Sequence, residues 1–330
     1  MNILIVHQGH IPVTLYGGTE RVIWHLAKAL KKLGHNPTFL VPPGSSCDFA
    51  PVLPLDESKE IASQIPSDID VVHFHYTATG MEKIEKPYVL TIHGNPQAGV
   101  ELDQNSIFVS GNHASRYGSN SFVHNGMDWD DQPQPDLQQA RNSFHFLGKA
   151  AWRVKNVKGA IEVIRRTKQE RLDVLGGVRF NVKMGLRFTF SQRISFYGMV
   201  GGVEKHKLIN QSKGLIFPVR WHEPFGLAIT ESLYYGCPVF GTPYGSLPEL
   251  VSSDVGFLSN RADELADAVE HSEDFSKSRC QEYARETFNA EVMARAYLDK
   301  YDQVLKGKSL NETPPALQNT QAEKFLDWYS

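Results

Sequence analysis

The chain is poor in cysteine, has no long apolar run and carries almost no net charge. Its three cysteines, Cys47, Cys237 and Cys280, include no close pair. That excludes a disulfide framework and a cysteine zinc site, and points to reduced thiols and a cytoplasmic protein. No stretch of eighteen apolar residues occurs, so no transmembrane helix is expected. The opening residues, MNILIVHQGHIP, lack a charged leader region and a cleavage site and read as a buried strand. A formal charge of −3 gives no bulk attraction for polyanions, so no nucleic-acid partner is expected. Neither GxSxG nor HExxH is present, which leaves hydrolase triads and zinc peptidase chemistry without residues. There is no internal repeat and no low-complexity segment.

What is present is the composition of a globular α/β protein, 41% apolar and 22% charged over 330 residues. Short apolar runs alternate with amphipathic stretches. Strands are expected at 3–7, 38–41, 70–75, 88–93, 107–110 and 122–124, with a helix at 19–33. A segment rich in Asn, Asp, Gln and Pro, VHNGMDWDDQPQPDLQQ, then marks a boundary. The alternation restarts, with strands at 143–147, 172–175, 194–197, 214–217 and 238–241. Helices are expected at 157–167, 205–211, 225–235, 262–271, 277–287 and 290–305, and a last one near 321–328. Continuous apolar strands separated by helices indicate parallel sheets covered on both faces. The expected architecture is therefore two tandem doubly wound, Rossmann-like domains, 1–135 and 136–305, facing each other across a cleft. The last helices are expected to cross back to the first domain, with a tail, 306–330, packing on it. Such sheets bind ligands at the carboxyl ends of their strands, so chemistry is sought in the strand-to-helix loops.

Three loops stand out. YGGTER, at 16–21, opens the first helix. Gly17 and Gly18 let backbone approach an anion at a helix N-terminus, although a Gly-Gly turn can be only a turn. FLGKAAWRVKNVKGAI, at 146–161, brings Lys149, Arg153, Lys155 and Lys158 after a strand; the group suits a diphosphate or simply an exposed basic loop. RWHEPFGLAITESLYYGCPVFG, at 220–241, sets Glu223 before a helix and Glu231 inside it. Main-chain N–H groups of Phe225, Gly226 and Leu227 form an anion site there. Glu231 has Ile229 and Leu233 as neighbours, so it lies near a buried face, where a carboxylate needs partners such as vicinal sugar hydroxyls. The plainer alternative is one acid favouring a helix dipole and one surface acid. Among the histidines, His73 and His75 read as packed or hydrogen-bonded residues, whereas His93, followed by Gly94, reads as a ligand contact. From Lys149 to Arg193 there are twelve Lys and Arg against three Asp and Glu. Most of that charge reads as solvated surface, with the remainder suited to phosphate, an anionic acceptor or a membrane face.

Taken together, GGTERVIWHLAKALKKLGH, TIHG, HNGMD, FLGK…KNVKGAI and HEPFGLAITESLYYGCPVFGTPYGSLPELV resemble family-four retaining glycosyltransferases of GT-B fold, over roughly residues 1–305. The resemblance implies roles. Gly17 and Gly18 lie near the donor diphosphate, and His93 contacts the transferred sugar. Lys149 and Lys155 form the basic pair for the diphosphate, although Lys158–Gly159 also resembles the family's Lys-Gly step. Glu223 holds sugar hydroxyls and Glu231 the ribose, while Phe225, Gly226 and Leu227 give main-chain contacts. Lys149 departs from the family's usual Arg, replacing a planar fork by a point charge.

The implied activity is transfer of a hexosyl unit from a GDP- or UDP-linked sugar to a hydroxyl of a glycan or glycolipid. Configuration is retained, domain closure completes the site, and neither a metal nor a cofactor is needed. Localisation is expected to be cytoplasmic or at the inner membrane face, with peripheral membrane contact. The rival readings are a catalytically silent nucleotide-sugar-binding subunit and a sugar-nucleotide epimerase or phosphorylase of the same fold.

Overall fold

NILIV, at Asn2–Val6, holds four consecutive aliphatic residues with no alternation, the pattern of a strand covered on both faces. Ile3, Leu4, Ile5 and Val6 are all buried. In the computed structural model, which describes residues 1–13, 17–181, 187–320 and 323–330, this strand, β1, sits inside a six-stranded sheet. Its companions are β2 (Asn36–Val41), β3 (Val52–Pro54), β4 (Val71–Phe74), β5 (Tyr88–Ile92) and β6 (Ser106–Phe108). The order is β3-β2-β1-β4-β5-β6 and every pairing is parallel. Helix α1 (Gly18–Lys32) buries Val22, Ile23, Leu26 and Leu30 on one stripe. It places Glu20 in its first turn and Lys31 and Lys32 in its last, both favourable to the helix dipole. A short helix, α2 (Gly111–Arg116), is capped by the Ser110 hydroxyl accepting from His113 N–H.

The second sheet contains β7 (Ser143–Leu147), β8 (Leu172–Leu175), β11 (Ile194–Phe196), β12 (Ser212–Phe217), β13 (Val239–Gly241) and β14 (Gly256–Leu258). It is again all parallel, in the order β11-β8-β7-β12-β13-β14. A separate antiparallel hairpin joins β9 (Phe180–Asn181) to β10 (Arg187–Phe188). The helices are α3 (Val157–Arg166), α4 (Gly202–Asn210), α5 (Leu227–Tyr234), α6 (Leu247–Leu250), α7 (Ala262–Glu270) and α8 (Lys277–Thr287). The core packs α3 and α7 against the strands through Val163, Ile164, Leu265 and Val269.

The chain divides into two compact units, and the division corrects the expected boundaries. The first unit holds residues 17–128 and Phe288–Thr320 besides the N-terminal strand; the second holds Trp129–Thr287 and the last residues. The crossing point falls at Asp128–Trp129 for a physical reason. Asp128 accepts from Lys28 and Lys32 at 3.2 and 3.0 Å. Trp129 stacks on Tyr234 with ring centroids 4.5 Å apart and donates its indole N–H to the Ala284 carbonyl.

Helix α9 (Ala290–Leu305) lies inside the expected second-domain range but belongs to the first unit, as the expected crossing back of the last helices requires. Its Tyr297 hydroxyl meets Thr91 Oγ1 at 3.0 Å, and its Tyr301 hydroxyl meets His73 Nδ1 at 2.7 Å. The entry to α9 crosses the HNG segment so closely that a Cβ on Gly126 would lie 2.2 Å from the Asn289 carbonyl oxygen.

Two further expectations fail. Residues 122–124 make only a single bridge, Phe108–Phe122, not a strand. Of the expected last helix near 321–328, residues 321 and 322 lie outside the described residues and 323–328 form no helix; a Tyr329–Arg261 bridge follows. Of the expected tail, residues 306–320 pack with the first unit, as expected, whereas 323–330 pack on the second. Leu326 N–H donates to Arg220 O, and Trp328 donates its indole N–H to Glu162 at 3.0 Å.

Part of the basic stretch is structural. Arg193 donates to the carbonyls of Arg165 and Thr167, closing the C-terminus of α3, and Arg179 donates to Thr189 and Ile194. Residues 182–186 of that stretch lie outside the described residues. No helix among the described residues is long and apolar enough to cross a membrane.

Trp328 fills the edge of the second core and ties the tail to α3. Trp328→Ala should lower stability by about 2 kcal/mol, less than the loss for a fully buried Trp. Urea unfolding checks it, and an unchanged midpoint would show that the tail is not docked.

Candidate functional site

Strand β12 ends at Phe217, and the chain turns through Val219, Arg220, Trp221 and His222 before Glu223. Glu223 is only 6% exposed. Its Oε2 accepts from Lys155 Nζ at 2.6 Å and from Trp221 Nε1 at 2.8 Å. Lys155 Nζ lies 5.0 Å from the Trp221 ring centroid and 5.2 Å from that of Phe217, so its charge faces two aromatic faces and one carboxylate. It is delivered by a 3-10 turn, Arg153–Lys155, that ends at Asn156 in a left-handed conformation (φ 54°). The Asn156 side chain then caps α3 by accepting from Gly159 N–H at 3.1 Å. A Cβ on Gly159 would lie 2.3 Å from Asn156 Nδ2, which accounts for the Lys-Gly step.

Glu231 lies in the middle of α5 and is also 6% exposed. Its Oε1 is 2.9 Å from Lys205 Nζ, and the two form a buried ion pair. Each acid of the motif is therefore held by its own lysine. Sequence reasoning missed Lys205. The available signal was spacing, because Lys205 stands one turn before the buried Ile209 on the inward face of α4. Next to Glu231 on α5, Ser232 is anchored by His145, whose two ring nitrogens meet Ser212 Oγ at 2.7 Å and Ser232 Oγ at 2.8 Å. The helix C-terminus is closed by Arg141, which donates to the Tyr235 and Gly236 carbonyls.

The helix begins at Leu227, two residues later than expected, because Gly226 takes a left-handed conformation (φ 89°) as the N-cap. Phe225 is buried, and its carbonyl accepts from the Ser246 hydroxyl at 2.6 Å. Gly245 approaches so closely that a Cβ would stand 2.2 Å from Glu223 N. Ser246 N–H donates to Glu223 O at 2.9 Å. The Gly-Ser pair thus fixes the HEPFG backbone at the N-terminus of α5, where Ile229 N–H donates to the Gly226 carbonyl and the N–H groups before it point along the helix axis.

Lys149 does not join this cluster. It is exposed, and its Nζ lies 5.3 Å from the Trp152 ring centroid. Lys158 is exposed on α3. The structure therefore brings together Lys155, Glu223 and Trp221, and separately Lys205 and Glu231.

In the first unit, Gly17 is the N-cap of α1 and Gly18 its first residue, while Tyr16 lies outside the described residues. A Cβ on Gly17 would lie 2.7 Å from Glu20 Oε2, so this glycine makes room for a carboxylate at the helix start. Glu20 Oε1 is 3.4 Å from His7 Nε2, and this contact, first among the causes, lowers the Glu20 pKa. His93 follows β5 and is half-buried. Burial, reinforced by nearby His7 and opposed by Glu20, pushes its pKa down to about 3. His73 and His75 are hydrogen-bonded, as expected of them: His73 lies between Tyr301 and Thr91, and His75 Nδ1 is 2.9 Å from His93 Nε2.

With the geometry in place, comparison with known proteins gives three findings. Residues 127–287 match the model of the family described as "Glycosyl transferases group 1". The matched range holds Lys155, Lys205, Glu223 and Glu231. A Klebsiella pneumoniae chain described as an "Uncharacterized 41.2 kDa protein in cps region" is 32% identical over 117 residues, a match that spans 33% of this chain and 32% of that one. Among solved structures, AviGT4, a glycosyltransferase involved in avilamycin A biosynthesis, aligns at TM-score 0.75 and 20% identity over 93% of this chain and 98% of its own. Sucrose-phosphate synthase from Thermosynechococcus elongatus aligns at 0.69 and 15% identity, over 93% of this chain and all of its own. HepE from Anabaena, solved with UDP and glucose, aligns at 0.64 and 15% identity over 91% of this chain and 99% of its own. The fold is that of GT-B glycosyltransferases, two Rossmann-like units with six parallel strands each.

Two predictions follow from burial. Lys205→Met leaves Glu231 as an unpaired buried charge and should cost about 3–5 kcal/mol, whereas Lys205→Met with Glu231→Leu should recover most of that loss. Urea unfolding of the single and double variants checks it; an equally unstable double variant would contradict the pairing. The second concerns acid. His93, His113 and His145 are pushed down to about 3 by burial, below the ordinary value of 6.5 that applies to the unfolded chain. Between those values the unfolded chain binds more protons, so stability is greatest above about pH 6.5 and falls as pH drops toward 3. Urea midpoints should be lower at about pH 5 than at about pH 7; equal midpoints would mean that the buried histidines are not neutral.

Proposed function

We propose that the chain is a retaining glycosyltransferase that moves a hexosyl unit from a nucleoside-diphosphate sugar to a hydroxyl of a glycan or glycolipid. The observation that carries this reading is the pair of buried acids, Glu223 and Glu231, on either side of the N-terminus of α5, each with its own lysine. A nucleoside-diphosphate sugar has two polyhydroxyl ends and a doubly charged middle. In this reading Glu231 accepts from the ribose hydroxyls and Glu223 from those of the transferred sugar. The N–H groups at Gly226 and Leu227, together with Lys155, take the diphosphate. The group 1 domain over 127–287 supports the reading, as does the likeness in fold to HepE, a structure solved with UDP and glucose.

Electrostatics gives Lys155 a specific part. Without a ligand its charge is neutralised by Glu223. A diphosphate offers a stronger anion, and its arrival frees a Glu223 oxygen for the sugar. As the C1–O bond breaks, negative charge grows on the leaving phosphate, where a fixed ammonium and helix N–H groups stabilise it without a divalent metal. Lys149, exposed on the preceding loop, adds a second point charge. Gly17 and Gly18 supply backbone near the diphosphate, and His93 a neutral imidazole to the transferred sugar. The acceptor hydroxyl attacks from the leaving-group face, which retains configuration. The acceptor belongs to cell-surface polysaccharide or glycolipid synthesis, on the cytoplasmic side of the membrane, with peripheral contact to it.

Titration calorimetry of UDP, GDP and ADP with EDTA present tests the reading on the native chain and on Glu231→Ala. One nucleotide should bind without metal, and the variant should lose at least tenfold in affinity, about 1.4 kcal/mol. Absence of binding, or equal binding by the variant, would favour a chain that does not use these acids for a nucleotide.

A further inference from the structure

Four histidines meet at the carboxyl ends of β1, β4 and β5: His73 within β4, and His7, His75 and His93 just beyond the strands. His75 is 5% exposed, and its ring stacks on that of His93 with centroids 5.2 Å apart. Burial first, then neighbouring His73, His93 and His7, drive the His75 pKa well below its ordinary value, so the ring is neutral. His93 is neutral for the same main reason. Two neutral imidazoles joined by one hydrogen bond share one proton along it, and there are two ways to place that proton.

In the first arrangement His93 Nε2 carries the proton and donates to His75 Nδ1. The His75 proton must then sit on its own Nε2. That atom is buried and has no hydrogen-bond partner among the described residues. A buried N–H left without an acceptor is among the rarest and costliest defects in a folded protein. In the second arrangement His75 Nδ1–H donates to His93 Nε2. His75 Nε2 is then a bare lone pair, a milder deficit, and the His93 proton moves to Nδ1.

We propose that His75 is a positioning residue that fixes His93 as the Nδ1–H tautomer, so that His93 meets its ligand as a hydrogen-bond donor and not as a base. The consequence is chemical. A donor at Nδ1 engages an oxygen lone pair, such as that of a sugar hydroxyl or ring oxygen, and has no free basic nitrogen with which to deprotonate an acceptor. His73 holds the arrangement in place. Its ring lies 4.0 Å from that of His75, and both its nitrogens are committed, Nδ1 to Tyr301 and Nε2 to Thr91. The His75 ring is thus confined between two others. The meaning of the donor for catalysis rests on the function proposed above; the tautomer itself does not.

The test is long-range 1H–15N NMR of the full chain labelled with 15N-histidine. His93→Gln identifies the His93 signals among the thirteen histidines. At neutral pH the native chain should show His93 with a protonated Nδ1 and a bare Nε2. His75→Phe keeps a planar ring and removes the donor; in it the His93 signals should move toward the opposite tautomer. His75→Asn, which keeps a donor of similar reach, should restore the native pattern in part. An Nε2–H signature for His93 in the native chain overturns the proposal, and so does a His93 tautomer unchanged in His75→Phe. If His75→Phe does not fold, the native spectrum and the Asn variant still decide. UDP calorimetry on the same variants separates the two claims, because a nucleotide held by Lys155 and Glu231 should bind His75→Phe undiminished. A correct tautomer in a chain that binds no nucleotide would sink the proposed function and leave this inference standing.

Discussion

Two carboxylates withdrawn from water need two cations, and the second unit is built around that need. Removing a carboxylate and an ammonium from solvent costs several kcal/mol for each ion, and good geometry only offsets it. Lys155 reaches Glu223 because Asn156 adopts a left-handed turn and Gly159 leaves room for its side chain. Glu223 is held in turn by the close pass of Gly245 and by Ser246. Lys205 reaches Glu231 from the inward face of α4. Small residues, caps and turns around α5 are thus consequences of one electrostatic constraint.

The first unit follows a different logic. Its polar centre is a set of packed imidazoles and phenols linked by hydrogen bonds, with the Glu20 carboxylate beside His7. Tyr297 and Tyr301 of α9 close it from one side through Thr91 and His73. This is why α9, late in the sequence, belongs with strands formed by the first hundred residues.

Much of the fold was legible from periodicity. Strands β7 and β8 and helices α8 and α9 lie where the apolar pattern put them, to the residue. The misses have tertiary causes. Strands β3 and β14, three residues each, were not anticipated. The Phe122 segment pairs through one bridge only, and the tail is held by Arg220, Glu162 and Asn260 instead of by its own helix. At the site, the two acids were visible because a carboxylate among Ile229 and Leu233 is conspicuous. Lys205 was not, since its partner stands 26 positions away. Lys149 and Lys155 looked equivalent as a basic pair, yet only Lys155 is turned toward the acids.

The central claim is that Glu231 holds the vicinal hydroxyls of a ribose. It is tested most directly by comparing a nucleoside diphosphate with its 2′-deoxy analogue, on the native chain and on Glu231→Gln. If the carboxylate accepts from the 2′-hydroxyl, the native chain should bind the deoxy analogue roughly tenfold more weakly, the scale of a hydrogen bond to a charged group. The variant should bind the two ligands alike. Equal discrimination by both proteins would mean that Glu231 serves only its lysine, and the account of the site would have to be rebuilt around Lys155 and Glu223 alone.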